Sequence, residues 1–346
     1  MGQNMLVEQS TSTMKVAISN ASCDLDDMAL IKAASFVPFG AGATLCNIII
    51  VLALMRQKSL RRRKEYLILT GLAFADFVEG FATFIGGLYR MSAVLGGWAF
   101  EPVSTLYCML LPHSWIWRWS DTATSFMLVV VSVDRFMSAG IPLRYFKFTK
   151  VYAYRFIGSV YAYSLVSSMF AWIYPIEEMH RRPGVAQLCG TWDFVSPRYY
   201  QYSKYITSFA SVLSVLLYIP LICIMRNQLS NIAGRISYSQ VDRRKRAQLR
   251  VTVTLGISSV ATLLLDALPR AYGMYGMAHE IRTGLTAGNC GSAHMYLFHL
   301  SKLNSMFNVF LYYTRHREMR LAIRALFCPG KVVISGATFG SSHNRL

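Results

Sequence analysis

Lys302, Asn304, Ser305, Asn308 and Tyr312 lie within one mainly apolar stretch, His299 to Tyr313. Hydrocarbon solvates an ammonium or an amide poorly, so polar groups at that depth are functional candidates by default. Acids occur in other apolar stretches: Asp76, Glu79, Asp121 and Asp266. Three chemistries are open to this set. A lysine facing a buried carboxylate makes an ion pair, either structural or a polar latch that a ligand opens. Hard oxygen atoms around a carboxylate suit a small hard cation. A lysine kept neutral by apolar surroundings forms a Schiff base with an aldehyde. Asp121 and Asp266 are the expected counter-ions of Lys302. No nucleophile–base pair, paired metal-ligand motif or glycine-rich phosphate loop stands out, and His294 and His299 are five apart, poor spacing for a shared helical metal site. An enzyme is not expected.

The elements that must carry these groups follow from composition. Hydrophobic residues make up 54% of the 346, only 15% are charged, and mean hydropathy is +0.35. A soluble domain carries about 25% charge. Apolar runs of spanning length recur at 32–55, 66–90, 106–133, 153–175, 203–226, 250–272 and 292–313. They are too long for barrel strands, and only helices or closed barrels cross a bilayer. The fold class expected is an all-α membrane protein, a seven-transmembrane helix bundle. A basic amphipathic stretch, Arg315 to Phe327, reads as a short eighth helix on the membrane surface. The divisions are an outer segment 1–31, the bundle 32–313, the surface helix 314–328 and an inner tail 329–346. Residues 1–20 are polar and lack a long apolar core, so the first span is expected to be the insertion signal.

Charge orients the bundle. Of the 35 Lys and Arg, 24 lie in 56–64, 135–155, 226–250 and the tail from 315. With the four acids in or beside these segments they net +20, and the remainder nets −2. The positive-inside rule puts these segments in the cytoplasm and the N-terminus outside. The basic charge is spread over four membrane-flanking segments, which points to anionic lipid and not to nucleic acid. Asn20-Ala21-Ser22 is then an outer glycosylation sequon. Cys108 and Cys189 lie on the outer side and can form a disulfide that pins the loop 176–202; Cys23 and Cys290 are a second outer pair. Cys46 and Cys223 fall inside spans as packing thiols, and Cys328 is a palmitoylation candidate.

Trp117, Asp121, Thr124, Leu128, Val131 and Arg135 follow spacings of four and three, so they share one face of the third span. At its inner end stands Asp134-Arg135-Phe136, in which the acid can hold the arginine in a resting pair that a partner protein breaks. This triplet resembles the Asp/Glu-Arg-Tyr motif of rhodopsin-like (class A) G-protein-coupled receptors, with Pro142 following in the next loop. Leu72-Ala73-Phe74-Ala75-Asp76 resembles the second-helix Leu-Ala-x-x-Asp motif, and Asn47 stands where the first helix carries its Asn. Pro220 and Pro269 are similar to the fifth- and sixth-helix prolines. Asn304-Ser305-x-x-Asn308-x-x-x-Tyr312 resembles the seventh-helix Asn-Ser-x-x-Asn-Pro-x-x-Tyr. The resemblance covers about residues 30 to 328.

There are departures. Val309 replaces the proline after Asn308, and Asp266-Ala267-Leu268-Pro269 puts Ala267 where the sixth-helix tryptophan stands. The fourth span lacks its mid-helix tryptophan, Cys108 precedes Arg135 by 27 residues where 25 is usual, and Leu249 lies where some members place an acid. Divergence of this kind resembles invertebrate, especially nematode, chemosensory receptors. The resemblance implies an extracellular small-molecule or peptide ligand, a heterotrimeric G protein as partner, and activation through Asp134, Arg135, Phe136, Asn308 and Tyr312. It implies a sodium site at Asp76, Thr124, Asn304 and Ser305. The ligand pocket expected holds Trp117, Arg118, Asp121, Asp266, Tyr272, Phe298 and Lys302. Trp117 occupies the place of the amine-binding acid of amine receptors, which argues against a simple monoamine. Lys302, six residues before Asn308, stands where animal opsins carry the retinal-binding lysine, but the sixth-helix aromatic that packs on retinal is missing and His113 stands at the usual counter-ion position. Intramembrane acids and a lysine would also serve a proton-coupled transporter, though no inverted repeat is apparent.

Overall fold

The computed structural model describes the backbone of residues 2–178, 184–233, 257–283, 292–315 and 317–327, and within these segments the side chains from residue 29 on, apart from 192, 225, 228–233, 277–283, 292–296 and 315. Among the described residues, five helices are long and apolar enough to cross a membrane: Ala29–Arg56, Lys64–Leu95, Pro112–Gly140, Lys150–Glu177 and Pro197–Ile224. Each has at least 28 residues, about 42 Å at 1.5 Å per residue, against a hydrocarbon core of about 30 Å.

In chain order the first helices are α1 (Gly2–Arg56), α2 (Lys58–Arg61), α3 (Lys64–Leu95), α4 (Thr105–Leu110), α5 (Pro112–Gly140), α6 (Pro142–Lys147), α7 (Lys150–Phe170) and α8 (Ile173–Glu177). There follow α9 (Thr191–Phe194), α10 (Pro197–Leu216), α11 (Tyr218–Ala233), a π turn Leu263–Ala267 running into α12 (Leu268–Thr283), α13 (Ser292–Arg315) and α14 (Arg317–Phe327). Proline sets many of the boundaries. Pro112, Pro142 and Pro197 open helices at the first turn, where a missing N–H costs nothing. Pro175 and Pro220 each remove the bond to the carbonyl four residues back, and the ladder breaks just there, at Ala171–Trp172 and at Leu217. Pro269 stands just after the π turn, whose wider ring adds one residue to the helix. The third span, expected from residue 106, is instead two helices, because Leu111 is extended before Pro112.

α3 is central and packs on α1, α5 and α7. Its approach to α1 is close. A Cβ on Gly80 would lie 2.7 Å from the Thr44 amide nitrogen, and one on Gly40 would lie 2.4 Å from that of Phe84. Small residues at such crossings let backbones touch where no water drives helices together. Leu67, Ile68, Leu72, Met127, Leu128 and Val160 form the α3–α5–α7 core. At the opposite flank Met319, Ala322 and Ile323, on one face of α14, pack on Ile50, Leu54 and Leu69. α14 starts later than the expected 314. Outward faces carry large apolar side chains, such as Leu45, Leu165, Phe209 and Phe310, as lipid contact requires.

One end is capped by a two-stranded antiparallel ribbon, β1 (Pro102–Val103) against β2 (Val185–Ala186). The Cys108–Cys189 disulfide lies beside it, packed on Met109, Phe194 and Val195. Cys46 is half-buried, whereas Cys223, expected to be a packing thiol, is exposed on the outer face of its helix.

Candidate functional site

Polar groups from four helices meet at mid-bundle. α3 supplies Asp76 and Glu79, α5 supplies Thr124, the sixth segment supplies Asp266 and Arg270, and α13 supplies Ser301, Asn304, Ser305 and Asn308, with Leu128 of α5 as an apolar wall. They surround a cavity of about 10 Å³ for the centre of a water-sized sphere, room for one water or one small ion. Asn47 of α1 donates its Nδ2 to Ser305 Oγ at 2.6 Å and to the Ala43 carbonyl at 2.9 Å. Asp76 Oδ1, Thr124 Oγ1 and Asn304 Oδ1 are buried with no protein hydrogen bond. Three hard oxygen atoms around one cavity fit a small hard cation.

Two sets of buried ion pairs tie the helices across this region. Lys302 of α13 pairs with Glu79 of α3, their side chains 3% and 7% exposed. The expectation of Asp121 or Asp266 as its partner is therefore corrected. Both acids are taken by Arg270, whose Nη1 lies 2.9 Å from Asp121 Oδ1 and whose Nε lies 2.9 Å from Asp266 Oδ1. Ser211 of α10 donates to Asp266 Oδ2 at 2.5 Å. The signals were local. Arg270 follows Asp266 by four residues, the spacing of helical ion pairs, and Glu79 follows Asp76 by three, on the same face of α3.

At the end away from the disulfide, Asp134 accepts from Tyr145 Oη at 2.9 Å, and Tyr145 also reaches Glu65 at 3.3 Å. The Lys64 ammonium sits 3.7 Å from the centre of the Tyr145 ring and donates to the carbonyls of Tyr145 and Phe148. Burial, then the adjacent Asp134 carboxylate, push the Tyr145 phenol pKa up. The resting Asp134–Arg135 pair is not formed: among the described residues no ion pair joins them. Consecutive helical residues point about 100° apart, so Asp134 turns to α6. Arg135 instead lines a cleft of about 740 Å³ with Arg62, Arg63, Lys150 and Tyr312. Asp134, Tyr312 and Tyr218 lie within its electrostatic reach, although no direct ion pair forms with Asp134. Phe136 packs on Tyr218 and Leu221. Tyr145 and Tyr218 were not singled out from the sequence, because an isolated tyrosine at a span end has no spacing signal.

The family model for the 7 transmembrane receptor (rhodopsin family) matches residues 46–312. The chain belongs to that family. No match was found among curated proteins.

The remaining residues of this rhodopsin-family receptor take their places around that frame. Trp117 and Phe298 face each other, ring centres 5.9 Å apart, and Phe298 also meets Phe36 at 5.2 Å and the Lys302 ammonium at 4.6 Å. Trp117, Asp121, Phe298 and Lys302 are thus neighbours of the Asp266–Arg270 cluster. Arg118, one position round the helix from Trp117, turns towards Phe194, Tyr199 and the Thr191 carbonyl. Tyr272, expected in the pocket, is 59% exposed and is removed from it. His113 lies against Gly86 and Tyr89 of α3, and the acid paired with Lys302 is Glu79. The side chains of Asn20 and Cys23, and residues 234–250, 290 and 328, lie outside the described residues, so the glycosylation, second-disulfide and palmitoylation expectations, and most of the basic segment 226–250 with Leu249, lie there too.

Proposed function

We propose that this receptor is a plasma-membrane protein with seven spanning helices and an extracellular N-terminus, and that it passes a chemical signal to a heterotrimeric G protein. The observation that carries the reading is one line of polar groups through the bundle. It runs from Arg270, Asp121 and Asp266, past the Asp76 cavity, to Arg135 and its cleft. The two ends share helices: α5 carries Asp121, Thr124 and Arg135, and α13 carries Lys302, Asn308 and Tyr312. A ligand among the third, fifth, sixth and seventh helices favours an arrangement in which the inner sixth helix leaves Arg135, and the cleft then admits the G protein. The resemblance to nematode chemosensory receptors supports a small chemical over a peptide. Arg135→Ala is expected to abolish nucleotide exchange, basal and ligand-driven, on a panel of purified G proteins while surface expression stays intact. Unchanged exchange refutes the role.

Asp76, Thr124, Asn304 and Ser305 would hold sodium, a fit supported by the three unbonded oxygen atoms. The pairing of Lys302 with Glu79 supports an ion pair over an aldehyde-reactive amine. Purified protein given retinal is therefore expected to develop no visible absorbance band; a band that Lys302→Arg abolishes would overturn this. The helix Arg317–Phe327, with three arginines and an apolar inner face, is read as lying along the inner leaflet.

A further inference from the structure

Arg118 and Lys204 lie on facing helices and, among the described residues, pair with no acid. Arg118 is 4% exposed, its Nε meets no acceptor, and Nη2 makes one long contact, 3.5 Å, to the Thr191 carbonyl. The Lys204 ammonium sits over the rings of Trp117, 5.3 Å away, and Tyr200, 5.7 Å away. Among the described residues neither cation has a carboxylate within 4.0 Å. Asp121 is in electrostatic reach of both, but Arg270 already holds it, and Asp266 is held by Arg270 and Ser211. Glu79 and Lys302 neutralise each other below. Among the described residues, the cluster between α5, α10 and the sixth segment therefore holds three cations, Arg118, Lys204 and Arg270, against two acids, both of them occupied. A buried cation without a counter-charge is costly; Arg118 is such a group, Lys204 is half-buried beside it, and a few placed charges among aromatic side chains are what a ligand site presents.

We propose that this site takes a small organic carboxylate with an aromatic body. The carboxylate engages Lys204 and Arg118 and competes with Asp121 for Arg270, and the ring packs on Trp117 and Phe298. The inference rests on the receptor reading of the site. It also supplies a link to activation, because Arg270 carried off Asp121 releases the sixth segment from α5.

The test uses the full-length protein in lipid nanodiscs with matched probes at millimolar concentration: phenylacetate, phenylacetamide and phenethylamine, then indole-3-acetate, its amide and tryptamine. Ligand that binds only the folded form raises Tm. Each carboxylate is expected to raise Tm by a few degrees, and the amide and amine of the same ring are not. Lys204→Gln is expected to abolish that shift. Lys204→Arg keeps the charge and should keep the shift. Absence of a carboxylate-selective shift, or a shift that survives Lys204→Gln, overturns the proposal. Basal nucleotide exchange on the same samples tests the receptor reading separately. Exchange without a carboxylate shift sinks the anion site alone, and a carboxylate shift without exchange sinks the receptor reading alone.

Discussion

Lys302 and Glu79 are each nearly dry, and each is the other's counter-charge. Removing one partner of a buried pair leaves a charge in low dielectric, at a cost of about 3–5 kcal/mol, whereas removing both can be nearly neutral. Lys302→Met alone is therefore expected to lower Tm more than Lys302→Met combined with Glu79→Gln. Thermal unfolding of the two single variants and the double checks this, and strict additivity would contradict direct pairing. Asp76 has the opposite problem, a carboxylate oxygen with no protein partner. Sodium is expected to raise the Tm of the native protein over matched potassium, and Asp76→Asn to erase that difference. A sodium effect that persists in the variant removes the cation site. Of these residues the sequence exposed the types and depths but not the pairing. The sequence offered Asp121 and Asp266 for Lys302, and only the side-chain directions chose Glu79.

At the scale of elements, the α1–α3 contact is set by missing side chains. Gly80→Leu must push Thr44 aside, and overpacking of this kind costs about 1–3 kcal/mol. Gly158 of α7, with nothing within 4 Å of an added Cβ, is the control. Gly158→Ala is expected to gain about 0.5–1 kcal/mol from helix propensity. Denaturation in detergent of both variants separates close packing from a general intolerance to larger residues. Hydropathy made the long helices legible, because a span needs only length and low charge. It blurred their ends: α3 runs five residues past the expected 90, and the third span splits at Leu111–Pro112. A window average does not register a single extended residue.

For the whole molecule, the Cys108–Cys189 bridge closes a loop of sequence separation 81 and fastens the β-ribbon and α9 over one end of the bundle. Cys189 takes a left-handed φ of 50° to make that turn. Cys189→Ser is expected to cost about 2–5 kcal/mol, mostly by freeing the unfolded chain, and to lower the yield of folded protein. Unaltered thermal unfolding would show that packing of Phe194 and Val195 holds the cap without the bond.

The sequence by itself determined the class, the family resemblance and the residues worth watching. Those depend on quantities local to the chain: apolar length, charge asymmetry and motif spacing. Tertiary structure decided the partners. Arg270 outcompetes Lys302 for Asp121 and Asp266, Tyr145 draws Asp134 away from Arg135, and Tyr272 points out of the pocket. Each outcome turns on helix rotation and offset, fixed by packing such as Gly40 and Gly80 against neighbouring backbone. A rotation of 100°, one residue's worth, exchanges one partner for another, and no periodicity along a single helix records its angle to the next.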